Sequence, residues 1–374
     1  ADTSSIQAAS TPGSEVYRTG SSNNNIVPEK FGCNQASANF AVVAGGQCNT
    51  ASAVNAFIGG GACNCNGSPY STVVGGQQNT SSNDSNHSIV GGGCKNVITN
   101  DSINSLIVGG DSNLIDTSEY SIVAGGARNK AELYNHMVVV GGVQNTASGA
   151  CSFIGGGERN KAGKQGIVVG GVANTASGLC HNIVVGGNDN HAATGLYGLI
   201  IGGSTNRACG GAYDFIGMGA LNNIKSGAVS ATIINGNNNL VNANYGFVGS
   251  GQYNSSSCDG AFIGNGFCNI NLSTCGSIIN GHNNIIGDKY SFIGGGLNNS
   301  ASRCHSIVVG GVLNTSSGCF SSVVGGTTNT ILQGSNCSFI GGGRCNSISG
   351  GYAPATVGGM FNTSSGNGTF IGGG

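Results

Sequence analysis

Fifteen cysteines and six histidines are the side chains of this 374-residue sequence best suited to chemistry. Two histidines sit beside a cysteine, in Cys180-His181 and Cys304-His305, a pairing that could ligate a metal or activate a thiol. A closed zinc site needs four ligands, and in a regular repeat these two pairs would be too far apart to combine. No C-x-x-C and no C-x-x-C-H occurs, which argues against zinc ribbons and c-type haem. His87, His136, His191 and His282 are scattered, and surface positions are expected for them. The acidic residues show no recurring pair of the kind glycoside hydrolysis uses. The Gly-Gly runs lack the lysine and following helix of a phosphate loop. Arg128, Lys130, Arg159, Lys161 and Lys164 form a loose basic cluster, read as a solvated face, with an acidic glycan as the alternative. The expectation is no enzyme, no catalytic residue, no cofactor and no metal.

Composition points away from an ordinary domain. Glycine accounts for 71 residues, charged residues for 7%, and the formal net charge is −1. An average soluble domain carries about 25% charge. Isoleucine and valine recur at regular positions, so the low complexity reflects repetition rather than disorder. Nothing in the charge balance suggests nucleic acid. No apolar run approaches the roughly 20 residues that span a bilayer, so membrane insertion is not expected. The N-terminus lacks a signal-peptide pattern. Either a leader has been removed, or the protein leaves the cell by another route, such as within a virion. The expected location is extracellular, at a cell surface or on a virion.

What would position these side chains is an internal repeat. One asparagine marks each unit, from Asn49, Asn64 and Asn79 through Asn145 and Asn174 to Asn299, Asn314, Asn329 and finally Asn362, in steps of 14 to 17 residues. A glycine always precedes it by three: Gly46, Gly61, Gly76, Gly142, Gly171 and Gly311 among others. Six before it stands Ile or Val, except for Thr356 in the last unit. All length variation follows the asparagine, so one segment is rigid and the other is a tolerant loop. The Ile/Val segment reads as a short strand and the glycine pair as a sharp turn. A second strand is expected around segments such as Asn145-Thr146-Ala147-Ser148. The asparagine amides should stack coil on coil at the roughly 4.8 Å strand spacing. The fold expected is all-β, a parallel β-solenoid of about 21 coils of 15–17 residues, spanning residues 34–374 after an irregular cap or docking arm at 1–33. Coils at that spacing would make a rod of about 100 Å.

The residues seven and five before the asparagine share a strand face. Where the first is Phe the second is Gly: Phe57 with Gly59, Phe153 with Gly155, Phe292 with Gly294, Phe339 with Gly341, Phe370 with Gly372. Ile89 with Gly91 is an exception to the reverse rule, in which a smaller first residue is followed by Val, Ile or Ala. Such volume compensation suits a close-packed environment. A slender coil has one interior, so this face is expected to meet another chain, with cover from the same coil as the alternative. Phe57, Phe153, Phe292, Phe339, Phe370 and Ile371 are the candidate interface residues.

The unit S-x-V-x-G-x-x-N-x-A-S-G-x-x-S, carried by Gly310, Asn314, Ser316, Gly318 and their equivalents over about residues 40 to 374, resembles the YadA-like head repeats of trimeric autotransporter adhesins. Those read approximately S-x-A-x-G-x-x-A-x-A-x-G. Similar Gly-rich repeats occur in fibre proteins of phages and large viruses. The resemblance implies a left-handed parallel β-roll, a homotrimer and surface attachment. The second glycine, and asparagine where alanine is usual, depart from that pattern. Stalk heptads and C-terminal anchor strands are missing, so a complete autotransporter is not expected.

Cys33, Cys48 and Cys63 each precede the marker asparagine in consecutive coils, and Cys304 and Cys319 are matched five residues after it. Neighbouring coils would bring such pairs to disulfide range. Axial staples and small neutral filler are both open readings. The sequence ends inside a unit, at Phe370-Ile371-Gly372-Gly373-Gly374, leaving a fragment or a head-to-tail joint as alternatives. Two functions follow. The first is a non-enzymatic structural subunit of a surface fibre or filament that self-assembles through stacked coils, as a trimer or head to tail. The second is an adhesin or receptor-binding trimeric segment that meets a host-surface glycan or receptor through its variable loops. An ice-binding face would need an unbroken threonine array, and Thr follows the asparagine in only some units.

Overall fold

β-Branched residues followed at fixed distance by glycine and asparagine build one coil after another. The computed structural model describes residues 33–374 and two short strands, Tyr17–Arg18 and Val27–Pro28, which pair antiparallel. The rest of the 1–33 cap or arm lies outside the described residues. Every other strand is parallel to its partners, and no helix occurs among the described residues. The chain divides into two units, Ala1–Ala176 and Ser177–Gly374, and each is a parallel β-solenoid. The repeat supplies 22 strands to each of two sheets: the first sheet has nine in the first unit and thirteen in the second.

Each strand is two or three residues long and pairs in register with its copy one coil away. In the second unit Val308 lies opposite Val323 in the first sheet, and Thr315 opposite Thr330 in the second. Single bridges such as Val312 to Thr327 add a third line of pairing just before the asparagine. Coil-to-coil bonds of 2.8–3.0 Å, from Val309 N–H to Val323 O, Val312 N–H to Gly326 O and Thr315 N–H to Asn329 O, hold the three sides. Backbone groups in so thin a coil have little else to bond to, and leaving them bare would cost more than any side chain could return.

Inside, the Ile/Val column is completely buried, as at Ile58, Ile154, Ile216 and Ile293, and packs against small residues of the second sheet such as Ala147 and Ala301. Each fully buried Ile or Val contributes about 1.5–3 kcal/mol. Thr356, the break in that column, buries a hydroxyl with no partner. Met137 and Asp214 enter the interior at a column otherwise occupied mostly by Ser, Ala and Gly.

Two corners of each coil take left-handed backbone at ordinary residues, which the repeat did not announce. In one coil these are His305 (φ 55°) and Leu313 (φ 58°). Such φ values are uncommon outside glycine. The corners are held by bonds to the preceding coil: His305 N–H donates to Lys289 O (3.0 Å) and Leu313 N–H to Leu297 O (2.9 Å).

Candidate functional site

Three longitudinal columns carry the side chains singled out by sequence. The asparagines form the first, and they are buried along the coils. Asn314 is typical. Its Oδ1 accepts from Asn329 N–H (3.0 Å), while its Nδ2 donates to Gly310 O and Gly326 O, both at 2.9 Å. Asn49, Asn64, Asn79, Asn145, Asn299 and Asn329 repeat the Oδ1 and glycine contacts, and Asn174 likewise donates to Gly170 O. Direct amide-to-amide bonds, the expected stacking, join only some neighbours, such as Asn64 to Asn49 and Asn254 to Asn239. The main partner is backbone, because the glycine turns of two coils present carbonyls on either side of each Nδ2. Gly311 sits at φ 89°, and a Cβ there would overlap Gly326 O. The same left-handed geometry holds at Gly46, Gly61, Gly76, Gly142 and Gly171.

The second column is the outward face of the first sheet. It is not covered by the coil it belongs to. Val74, Val140, Val169, Ile201, Ile234, Ile279 and Val309 are 43–52% exposed. Phe57 and Phe339 are 39% exposed and Phe370 71%, while Phe153, Phe292 and Ile371 are intermediate. The Phe/Gly compensation is satisfied within the strand. A Cβ built on Gly249 or Gly341 would lie 3.3 Å from Cε1 of Phe247 or Phe339, so each ring lies over its own glycine. It would also overlap a carbonyl of the next coil. Gly91, beside Ile89, has the same close approach, to Val108 O, without any ring. The backbone therefore demands glycine at these positions, and the ring fills the space.

The third column follows the left-handed corner before the first sheet. Tyr70 stacks on His87 (centroids 5.1 Å), Tyr120 on His136 (5.2 Å), His181 on Tyr197 and Tyr197 on Tyr213 (both 5.0 Å). Tyr290, His305 and Phe320 form a further triple stack. The Cys-His pairs thus place their histidines in ring stacks. Among the described residues no group of three or more His, Cys, Asp or Glu could hold a metal ion. His191 bonds Asp189 (2.9 Å), and His282 meets Phe267 edge-on.

Cys48 forms a disulfide with Cys33, their Cα atoms 4.3 Å apart, which leaves Cys63 free and exposed. Cys304 and Cys319 are free thiols with their sulfurs 2.7 Å apart, and the contact with Cys319 raises the Cys304 pKa above its ordinary value. Within the basic cluster, Lys130 approaches Glu132 (3.9 Å) and Arg159 pairs with Glu158 (3.2 Å). Sequence reasoning missed Asp214, whose burial pushes its carboxyl pKa up to about 6, although the N–H groups of Ala231 and Gly210 donate to it. Its signal was the residue eight before the asparagine, a position that elsewhere holds no Asp.

No helix among the described residues is long and apolar enough to cross a membrane. No protein-family model matches the chain, and no curated protein matches it.

Proposed function

We propose that this protein is a non-enzymatic structural subunit of an extracellular or virion fibre, assembled from copies of itself through the outward face of the first sheet. The observation that carries this reading is the composition of that face. Across all 22 strands of that sheet, the two outward positions on either side of the inward Ile, Val or Thr hold no Asp, Glu, Lys or Arg. They are mostly Val, Ile, Leu, Phe and Gly, and many stand half exposed.

Thirteen strands in the second unit at about 4.8 Å spacing extend the face over roughly 58 Å. At a width of about 10 Å that is on the order of 600 Å² of apolar surface in the second unit alone, at the top of the roughly 300–600 Å² that the largest patch of a typical monomer reaches. It approaches the roughly 800 Å² per partner of a stable interface. A charged or strongly hydrated partner gains nothing against it, whereas a second copy offers the same flat, uncharged ribbon. The Cys33–Cys48 disulfide supports an oxidising location. The coils, tied by backbone bonds and buried asparagines, suit a part made for stiffness.

Sedimentation and negative-stain microscopy of the full chain test the reading. Association is expected for the unaltered protein, and Ile279→Lys with Val309→Lys, at side chains pointing outward, should abolish it while leaving the coil folded. A protein that stays monomeric at high concentration, or a double variant that associates as well as the parent, defeats the proposal.

A further inference from the structure

Exposed rings do not fill the corner column continuously. At three places a pair of rings leaves a gap of one coil: Phe40 and Tyr70 flank Asn55, His87 and Tyr120 flank Asn104, and Tyr213 and Tyr245 flank Ser230. These positions are equivalent, since each takes φ between 53° and 59°. In all three gaps the intervening residue is a neutral hydrogen-bonding one. Among the described residues, the side chains of Asn55, Asn104 and Ser230 have no partner. The rings themselves are open to solvent, with Phe40 50%, Tyr120 51%, Tyr213 62% and Tyr245 67% exposed.

Where rings occupy successive coils of this column they stack with centroids 4.6 to 5.2 Å apart, Tyr197 and Tyr213 inclined by 5° and Tyr290 and His305 by 27°. Their faces cover one another and offer only edges. Rings two coils apart instead face each other across twice that step, roughly 10 Å given the regular coil spacing. A flat guest touching both faces needs only about 7 Å, two contacts of ~3.5 Å each, and would rattle in such a gap. A pyranose chair is thicker, because axial C–H bonds project from both its faces. Those apolar faces suit aromatic rings, while its equatorial hydroxyls point to the rim, where a neutral amide or hydroxyl can donate and accept. The column contains no Asp, Glu, Lys or Arg, so it offers nothing to a charged sugar.

We propose that these three gaps are binding sites for neutral hexopyranoses, each gripping one sugar between two side chains and bonding its rim through Asn55, Asn104 or Ser230. The sugar plane lies parallel to the rings, so its glycosidic bonds leave sideways and each gap takes a single residue of a glycan. This function is separate from self-assembly, because the gaps lie on the corner column and the proposed contact lies on the strand face.

Saturation-transfer NMR on the full-length protein tests it, with methyl β-D-glucopyranoside, methyl β-D-galactopyranoside and N-acetylglucosamine as probes and phenol as the flat competitor. Transfer to the ring C–H protons of at least one sugar is expected. It should fall at least fivefold in the combined variant Tyr70→Ser, Tyr120→Ser, Tyr245→Ser, whose circular dichroism should match the parent and whose melting should drop only modestly, through loss of the Tyr70–His87 and Tyr120–His136 stacks. Asn104→Ala should weaken the residual signal of a variant carrying only Tyr70→Ser and Tyr245→Ser. No transfer from any sugar, equal transfer in the triple variant, or full displacement of the sugars by phenol would overturn the assignment. None of these outcomes bears on association through the strand face.

Discussion

Replacing Asn314 with alanine isolates what one rung of the buried column contributes. Three hydrogen bonds are removed: one accepted from Asn329 N–H and two donated to Gly310 O and Gly326 O. Gly326 O keeps its bond from Val312 N–H, so little is lost there. Asn329 N–H, in contrast, is left without a partner in a fully buried position. A neutral hydrogen bond contributes about 1 kcal/mol net, and an orphaned buried donor costs about 1–3 kcal/mol. The expected destabilisation is therefore about 2–4 kcal/mol, read by urea unfolding. It should be local, because in a solenoid each coil rests only on its neighbours. Hydrogen exchange should accelerate most at the amide of Asn329. Asn314→Asp sharpens the test. Its carboxylate can still accept from Asn329 N–H but faces two carbonyl oxygens that it cannot satisfy. The neutral acid can donate to one of them, so its pKa in the folded protein is raised. Stability of this variant should be fully present at low pH and fall as pH rises through the folded pKa. An alanine variant within about 0.5 kcal/mol of the parent and unchanged protection at Asn329, or an aspartate variant indifferent to pH, would refute the role given to the column.

Two further outcomes follow from named positions. Gly311→Ala should lower the melting temperature sharply or prevent folding, since its φ is 89° and its Cβ would overlap Gly326 O; Gly310→Ala, where a Cβ meets nothing within 4 Å, should change it little. Asp214 should cost stability as pH rises from about 4 to 6, because burial lifts its folded pKa to about 6 from the ordinary carboxyl value of 3.8. Below that window the fold keeps the proton at no penalty, and above it the buried carboxylate is charged in both states. Asp214→Asn should therefore stabilise the protein near pH 7 by about 1–3 kcal/mol, with 1.36 kcal/mol per unit as the ceiling, and flatten the pH dependence of melting between pH 4 and 6. Asn182 already occupies the equivalent interior position, so the amide fits.

The repeat itself determined the β-solenoid, its strand positions and its coil length. The distance from Val308 through Gly311 to Asn314 does not vary between units, and only strands paired in register could use so strict a spacing. Period-two alternation likewise placed Val308 inward and Ile307 outward. Local pattern could not say what the asparagine bonds to. Which carbonyls flank Nδ2 depends on where the glycine turn of the next coil arrives, and that is set by stacking. Nor could it assign the Phe/Gly pairing. Volume compensation reads the same whether a ring packs on another chain or on the glycine two residues along, and only the close approach of the next coil's carbonyl distinguishes them. The left-handed corners were equally hidden. Leu313 and Tyr245 have no intrinsic preference for positive φ, and they adopt it because a bond to the preceding coil outweighs the strain. Sequence thus fixes which residues repeat and which face they take. Tertiary structure decides their partners, because every partner belongs to a different coil, some 15 residues away along the chain and a single strand spacing away in space.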